Sequence, residues 1–257
     1  MTSIAELTEQ EIIEAPVTGL EGRTPRDEIE QPRTGNLKKE VVILWDISGS
    51  NAEQASPDSP MTKQELAIEA FPHFVAALEG DDAEAKREQS GGSSAKGGCR
   101  LWCFDEPVEF EFEDGEDESE DPRDLGDANT ANVREKLSQV PWRRGRTYIM
   151  PAVRAALHAY ASEFGDDKKR AIEMLVITDG KLNDAREFEA WLTENAGKHC
   201  VVAVAVIGHG DGHKHAVEHY QAIAQQNPYL TCVALTGVSD PREVALDLRL
   251  LSGTAAA

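Results

Sequence analysis

The chain has 257 residues, enough for one domain of about 200 residues with tails, and 47 Asp and Glu against 26 Lys and Arg give it a net charge of −21. A chain this acidic repels phosphate backbones and anionic lipid, so nucleic acid and membrane surfaces are not expected as partners. No apolar run reaches the ~18 residues of a membrane span, the start (MTSIAELTEQEIIEA) is acidic without a hydrophobic signal core, and the four cysteines read as reduced core thiols, so a cytoplasmic protein is expected.

Residues 1–39 are polar and punctuated by Pro16, Pro25 and Pro32. Ser3 and Glu6 have the spacing of a capping box, and Ile4, Leu7, Ile12 and Ile13 supply a small apolar face. A flexible N-terminal tail with one short helix is expected here, with a docking motif for a partner as the alternative. Residues 40–252 form the expected domain, and 253–257 a C-terminal tail.

Strand-length apolar runs follow at 41–46, 99–104, 108–112, 173–178, 200–207 and 229–235. Helical patterns fall between and after them, at about 61–79, 130–138, 150–163, 184–196, 213–226 and 240–251. The runs at 41–46, 173–178 and 200–207 are continuously apolar, as parallel strands covered on both faces are. The run at 108–112 alternates Val and Phe with Glu, and only Asp105, Glu106 and Pro107 separate it from 99–104. That gap is too short for a parallel crossover, so a hairpin with 108–112 as an antiparallel edge is expected. The pattern predicts a doubly wound, mostly parallel six-stranded α/β sheet with one antiparallel edge strand and helices on both faces.

Two low-complexity loops interrupt the alternation, at 80–98 and 105–128. The first is Gly/Ser-rich (GDDAEAKREQSGGSSAKGG). The second is acidic, with twelve Asp or Glu against one Arg over residues 105–124. It lacks the ligand spacing and mid-loop Gly of a calcium-binding EF-hand loop and reads as a solvated segment, expected at the pole opposite the ligand edge.

Open α/β sheets bind ligands beyond the carboxyl ends of their strands, near the switch in strand order. The first apolar strand ends in Asp46-Ile47-Ser48-Gly49-Ser50, and the fourth in Thr178-Asp179-Gly180. Gly145-Arg146-Thr147 precedes a helix that opens near Pro151. Two carboxylates, three hydroxyls and water are hard oxygen ligands, suited to octahedral Mg²⁺ or Mn²⁺ and without Cys or His to favour zinc. Taken singly, Asp46 would be a turn residue and Ser48 and Ser50 helix caps; it is the set that points to a metal.

The Asp-x-Ser-x-Ser turn, the later loop Thr and the Thr-Asp-Gly after the fourth strand, in that order, resemble the von Willebrand factor A (vWA) domain with its metal-ion-dependent adhesion site. The resemblance spans residues 40–251. It implies Asp46, Ser48, Ser50, Thr147 and Asp179 as ligands of Mg²⁺ (or Mn²⁺ or Ca²⁺), some through water, with no catalytic residues. It further implies a protein-binding module, its partner an unidentified protein presenting an Asp or Glu side chain to an open metal position, within a multiprotein assembly. In some members the last helix slides on ligand binding. One departure stands out: Asn51–Pro60 intervenes between the first motif and its helix, beside the expected metal and able to shape the partner surface.

After the fifth strand come His209, Asp211, His213, His215 and His219. His215 and His219 are four apart and able to share a zinc ion, so His213, His215 and His219 form a candidate second site against the plainer reading of a polar helix start. The glycines at 208, 210 and 212 have neither the spacing nor the position of a dinucleotide loop. Trp142-Arg143-Arg144-Gly145-Arg146 is a basic patch that either steers an acidic partner or balances an acidic protein. The rival function is a metal-dependent phosphohydrolase of haloacid dehalogenase type, which needs a second Asp two residues after its nucleophile, where this chain has Ser48. A metal-free scaffold is the remaining alternative.

Overall fold

The computed structural model describes residues 38–88, 99–105, 124–140, 145–164, 170–196, 200–227, 229–235 and 240–254. The expected N-terminal tail and the run at 108–112 lie outside the described residues. Six strands are present among the described residues: β1 (Lys38–Asp46), β2 (Cys99–Phe104), β3 (Asp124–Ala128), β4 (Arg170–Thr178), β5 (Cys200–Ile207) and β6 (Leu230–Leu235). Six α-helices accompany them: α1 (Lys63–Glu88), α2 (Val133–Ser138), α3 (Met150–Phe164), α4 (Ala185–Asn195), α5 (Gly210–Ala224) and α6 (Pro241–Thr254). The strands form one sheet in the order β3-β2-β1-β4-β5-β6, parallel throughout except for β3, which runs antiparallel to β2.

Side chains alternate across each central strand, and the two faces bury separate cores. Ile43 and Trp45 of β1 face one way, with Leu66, Phe71 and Phe74 of α1, Leu137 of α2 and Leu248 of α6. Val42 and Leu44 face the other, with Val153 of α3, Phe188 of α4 and Tyr220 of α5. Trp45 stacks on Phe71 with ring centroids 5.2 Å apart, which fixes α1 against the end of β1. Because both faces of a central strand meet a helix layer, its middle is mostly apolar rather than alternating, although β4 also buries Glu173.

The antiparallel edge is present, but the strand that pairs with β2 in this structure is Asp124–Ala128, inside the stretch expected to be a loop. Its sequence, DLGDA, has almost no strand propensity. Pairing stabilises it instead: Arg100 of β2 donates to both carboxylate oxygens of Asp124, and Leu125 packs against the core. Gly126 takes a φ of +69° beside the register shift at Leu101/Trp102, a bulge that favours glycine. The placement also corrects the expected pole of the acidic segment. Asp105 directly follows β2, whose Phe104 pairs with Asp46, while Asp124 pairs with Trp102. Both anchors of the segment therefore lie at the edge where β1 ends. The helix α1 likewise runs on to Glu88, into the stretch read as low complexity, where Ala, Glu, Lys and Arg are good helix formers.

Helix α6 packs on α1 through Val244, Ala245, Leu248 and Leu251. Asp247 on the same helix is half-buried, and burial, with Glu243 adding repulsion, pushes its carboxyl up from 3.8 to about 6. A folded-state value above the unfolded one means the charged form is disfavoured in the fold. The penalty is full above about pH 6, fades as pH falls through that value, and is gone below 3.8. Partial exposure leaves it at about 1 kcal/mol. Asp247→Asn is therefore expected to raise the melting temperature by about 2–4 °C at pH 8 and by nothing measurable near pH 3.5, as followed by circular dichroism.

Candidate metal centre

The strand order reverses between β1 and β4: the chain moves from β1 outward to β2 and β3, then returns to lay β4 on the other side of β1. The crevice of a doubly wound sheet opens at that switch, at the carboxyl ends of the two strands. Asp46 closes β1, and Asp179 follows Thr178 at the end of β4, with both side chains buried.

The turn after Asp46 is built on its carboxylate. Oδ1 accepts the Ser48 backbone N–H at 2.9 Å, and Oδ2 accepts the Thr178 hydroxyl at 2.9 Å. The Asn51 side chain donates back to the Asp46 carbonyl at 3.1 Å, closing a short 3₁₀ turn over Gly49–Ala52. This leaves the Ser48 and Ser50 hydroxyl oxygens 3.0 Å apart. Across the crevice, Asp179 Oδ1 accepts the Lys181 backbone N–H at 3.1 Å. Gly180 makes this turn with a φ of +86°, and its missing Cβ makes room for Ala216: a Cβ there would lie 2.3 Å from the Ala216 Cβ.

Thr147 reaches the same edge from the loop before α3 and is buried. Its backbone N–H donates to Asn183 Oδ1 at 2.8 Å, and its carbonyl accepts the Asn183 N–H at 2.7 Å. One residue on, Asp184 caps α3 by accepting the N–H groups of Ile149 (3.1 Å) and Met150 (2.8 Å). The Tyr148 N–H donates to the Asp105 carbonyl at the end of β2. The Thr147 loop is thus tied to the segment that follows Asp179 and to the neighbouring strand.

Electrostatics set the character of the site. Burial, then repulsion from Asp179, pushes the Asp46 carboxyl up to about 6, against the pull of its bonds to Ser48 and Thr178. Two carboxylates held together out of water are a site that a cation relieves. The donor set fits a small hard dication. The Ser48 and Ser50 hydroxyls are hydrogen-bonded to each other at 3.0 Å, and two oxygens at that separation can also occupy adjacent corners of an octahedron with bonds of about 2.1 Å. The described residues contain no group of three or more His, Cys, Asp or Glu side chains placed for a metal; the set here has two carboxylates and the hydroxyls of Ser48, Ser50 and Thr147.

Lys63 is the residue at this edge that the sequence did not single out. It opens α1, its side chain is 5% exposed, and its ammonium reaches Asp179 Oδ2 at 3.2 Å, the Ser50 carbonyl at 3.2 Å and Glu53 Oε2 at 3.0 Å. The bond from Lys63 holds the Glu53 carboxyl below the usual range, and exposed Lys181 pairs with the same Glu53 at 3.3 Å. The insertion 51–60 therefore stands beside the site, pinned at its base by the Gln54–Thr62 bridge and by the Lys63 N–H on the Glu53 carbonyl at 2.9 Å. In sequence Lys63 looks like an ordinary first-turn residue of an amphipathic helix.

The three histidines of the candidate second site each have a partner elsewhere. His213 turns inward, its Nε2 2.9 Å from the Val206 carbonyl, and burial pushes its pKa down. His219 pairs with Glu189 at 2.5 Å, and His215 lies against Glu218 at 3.8 Å. The inward turn of His213 takes it off the surface on which a shared zinc would sit. His209 and Asp211 are exposed at the start of α5, and Arg146 is exposed beside Thr147, while Trp142, Arg143 and Arg144 of the basic patch lie outside the described residues. All four cysteines are free and buried, with burial pushing each thiol well above its usual range.

Gly180 and Gly210 have the same left-handed backbone, but only Gly180 is hemmed in. Gly180→Ala is expected to cost about 3 kcal/mol in urea unfolding, from strain plus the clash with Ala216. Gly210→Ala, with open space around it, is expected to cost about 1 kcal/mol.

No family model matches the chain, and no curated protein matches it. Solved structures do. The SpRpn10 VWA domain is 12% identical at a TM-score of 0.50, covering 82% of this chain and 93% of that one. Proximal thread matrix protein 1 from the mussel byssus is 14% identical at a TM-score of 0.50, covering 86% of this chain and 48% of that one. Manganese-loaded Plasmodium vivax TRAP protein is 16% identical at a TM-score of 0.46, covering 83% and 72%. At these identities the likeness is one of fold: the chain has the doubly wound α/β fold of a vWA domain.

Proposed function

We propose that this chain is a divalent-metal-dependent protein-binding module, with Asp46, Ser48, Ser50, Thr147 and Asp179 as the oxygen ligands of Mg²⁺, or of Mn²⁺ or Ca²⁺. One observation carries the reading: two buried carboxylates meet at the topological switch beside the hydroxyls of Ser48 and Ser50. When bound, the ion supplies a coordination position for a carboxylate of a partner protein. Thr178 and the Ser48 N–H hold the Asp46 carboxylate in one orientation, and the Lys181 N–H does so for Asp179. Exposed Arg146 and Lys181 at this edge offset the long-range repulsion that a chain of net charge −21 exerts on an acidic partner.

The same residues speak against hydrolysis. The position two after Asp46 holds Ser48, which accepts and donates hydrogen bonds but cannot act as the carboxylic acid–base that haloacid dehalogenase chemistry needs. No helix among the described residues is long and apolar enough to cross a membrane. The four free, buried thiols support a reducing compartment, which we read as the cytoplasm, and a binding module of this size fits a role within a multiprotein assembly.

Thermal melting of the full chain in EDTA and then in millimolar Mg²⁺, Mn²⁺ or Ca²⁺ tests the metal. A ligand at 100 times its dissociation constant adds about 2.7 kcal/mol, a rise of about 5–10 °C for a domain of this size. The rise is expected in the wild type and absent in Asp46→Ala. An equal rise in both proteins would place the metal elsewhere, and no rise in either would favour a metal-free scaffold.

A further inference from the structure

We infer that Lys63 is a built-in counter-ion of the candidate metal centre, holding Asp179 in the metal-free chain and keeping metal affinity low. The inference deepens the metal reading above and rests on it.

An ammonium has three N–H donors, and Lys63 has three acceptors within 3.2 Å. They come from two distant parts of the chain: the Ser50 carbonyl and Glu53 in the stretch after β1, and Asp179 beyond β4. The lysine side chain is 5% exposed and the Asp179 side chain 1%. Removing two such charges from water is costly, and only a full set of partners offsets the cost. The fold also makes room for the stem. Gly208 has a φ of +138°, and a Cβ there would stand 3.1 Å from Lys63 Cε, closer than nearly all real contacts. His213, turned inward on the Val206 carbonyl, lines the other side.

The charges decide what this does. Asp46 and Asp179 alone present −2 to a dication, but with Lys63 beside Asp179 they present −1. Glu53 and Lys181, the latter 3.8 Å from Asp179 Oδ2, are both exposed and pair with each other, so their opposite charges offset one another and solvent screens them. A fixed positive charge 3.2 Å from a ligand oxygen opposes entry of a second cation in a site of low dielectric. With a dication bound, the two carboxylates and Lys63 leave the site at +1, a charge that one carboxylate of a partner neutralises. Lys63 thus lowers metal affinity and raises the attraction for an anion. A lysine that served only to hold the turn would do the reverse for the metal, since its loss would disorder the ligands.

The test is Mn²⁺ binding to the full chain, by electron paramagnetic resonance and calorimetry, for the wild type, Lys63→Met and Lys63→Arg. Lys63→Met is expected to bind Mn²⁺ at least tenfold more tightly while melting lower in EDTA, and Lys63→Arg to stay within about threefold of the wild type. If Lys63→Met fails to fold, Lys63→Gln, neutral but still a donor, carries the same expectation. Binding by Lys63→Met alone would support the counter-ion and overturn metal dependence of the native chain. Equal or weaker Mn²⁺ binding by folded Lys63→Met and Lys63→Gln, with the wild type binding, would overturn the counter-ion and leave the metal reading standing. Absence of binding in every protein would overturn both.

Discussion

Two carboxylates buried side by side are the constraint around which this edge of the molecule is organised. Parallel strands lie about 4.8 Å apart, so residues ending neighbouring strands are forced together, and β1 and β4 are neighbours that end in Asp46 and at Asp179. Neither side chain can escape to solvent, since both are nearly fully buried. The surrounding residues manage that conflict: Thr178 and the Ser48 N–H on Asp46, the Lys181 N–H and the Lys63 ammonium on Asp179. The Asp46 carboxyl nevertheless stays well above its usual value, through burial first and then the repulsion from Asp179.

The rest of the edge keeps this arrangement rigid. Asn183 and Asp184, just beyond the Asp179 turn, hold the Thr147 loop and the start of α3 through four hydrogen bonds, three of them accepted by their side chains and one between backbones. A shift of the β4 end would therefore carry Thr147 with it. The insertion after Ser50 is pinned at its base and contributes Glu53, which Lys63 and Lys181 share. On the other side of β1, the anchors of the acidic segment at Asp105 and Asp124 lie at the same pole. The ends of β1, β2 and β4 and the Thr147 loop before α3 thus meet at one edge, while the two faces of the sheet are occupied with packing. Fold likeness to vWA domains accounts for this convergence, because strand order alone places those loops together.

Much of this arrangement is legible in the order and pattern of the residues. Mostly apolar runs locate β1, β4 and β5 because strands covered on both faces leave few positions for a polar residue, although β4 also buries Glu173. Asp46 and Asp179 fall at one edge because parallel strands share a direction, whereas Thr147, in the loop before α3, is brought there by its bonds to Asn183. Local pattern misleads where pairing prevails. The segment DLGDA has no strand signature and becomes β3 through its register with β2 and the Arg100–Asp124 pair. His213 looks like one of a histidine cluster, yet it turns inward onto the last residues of β5.

The amino-acid sequence by itself determined the fold class, the two separate cores and the oxygen-rich edge, because periodicity and strand-end motifs report burial within a few residues of one another. Only the tertiary structure decided which charges meet. Thr178 reaches Asp46 across 132 residues, and Lys63 reaches Asp179 across 116. Such pairs follow from strand order and helix placement, and a lysine in the first turn of a helix has no local feature that shows a carboxylate waiting at the end of a distant strand.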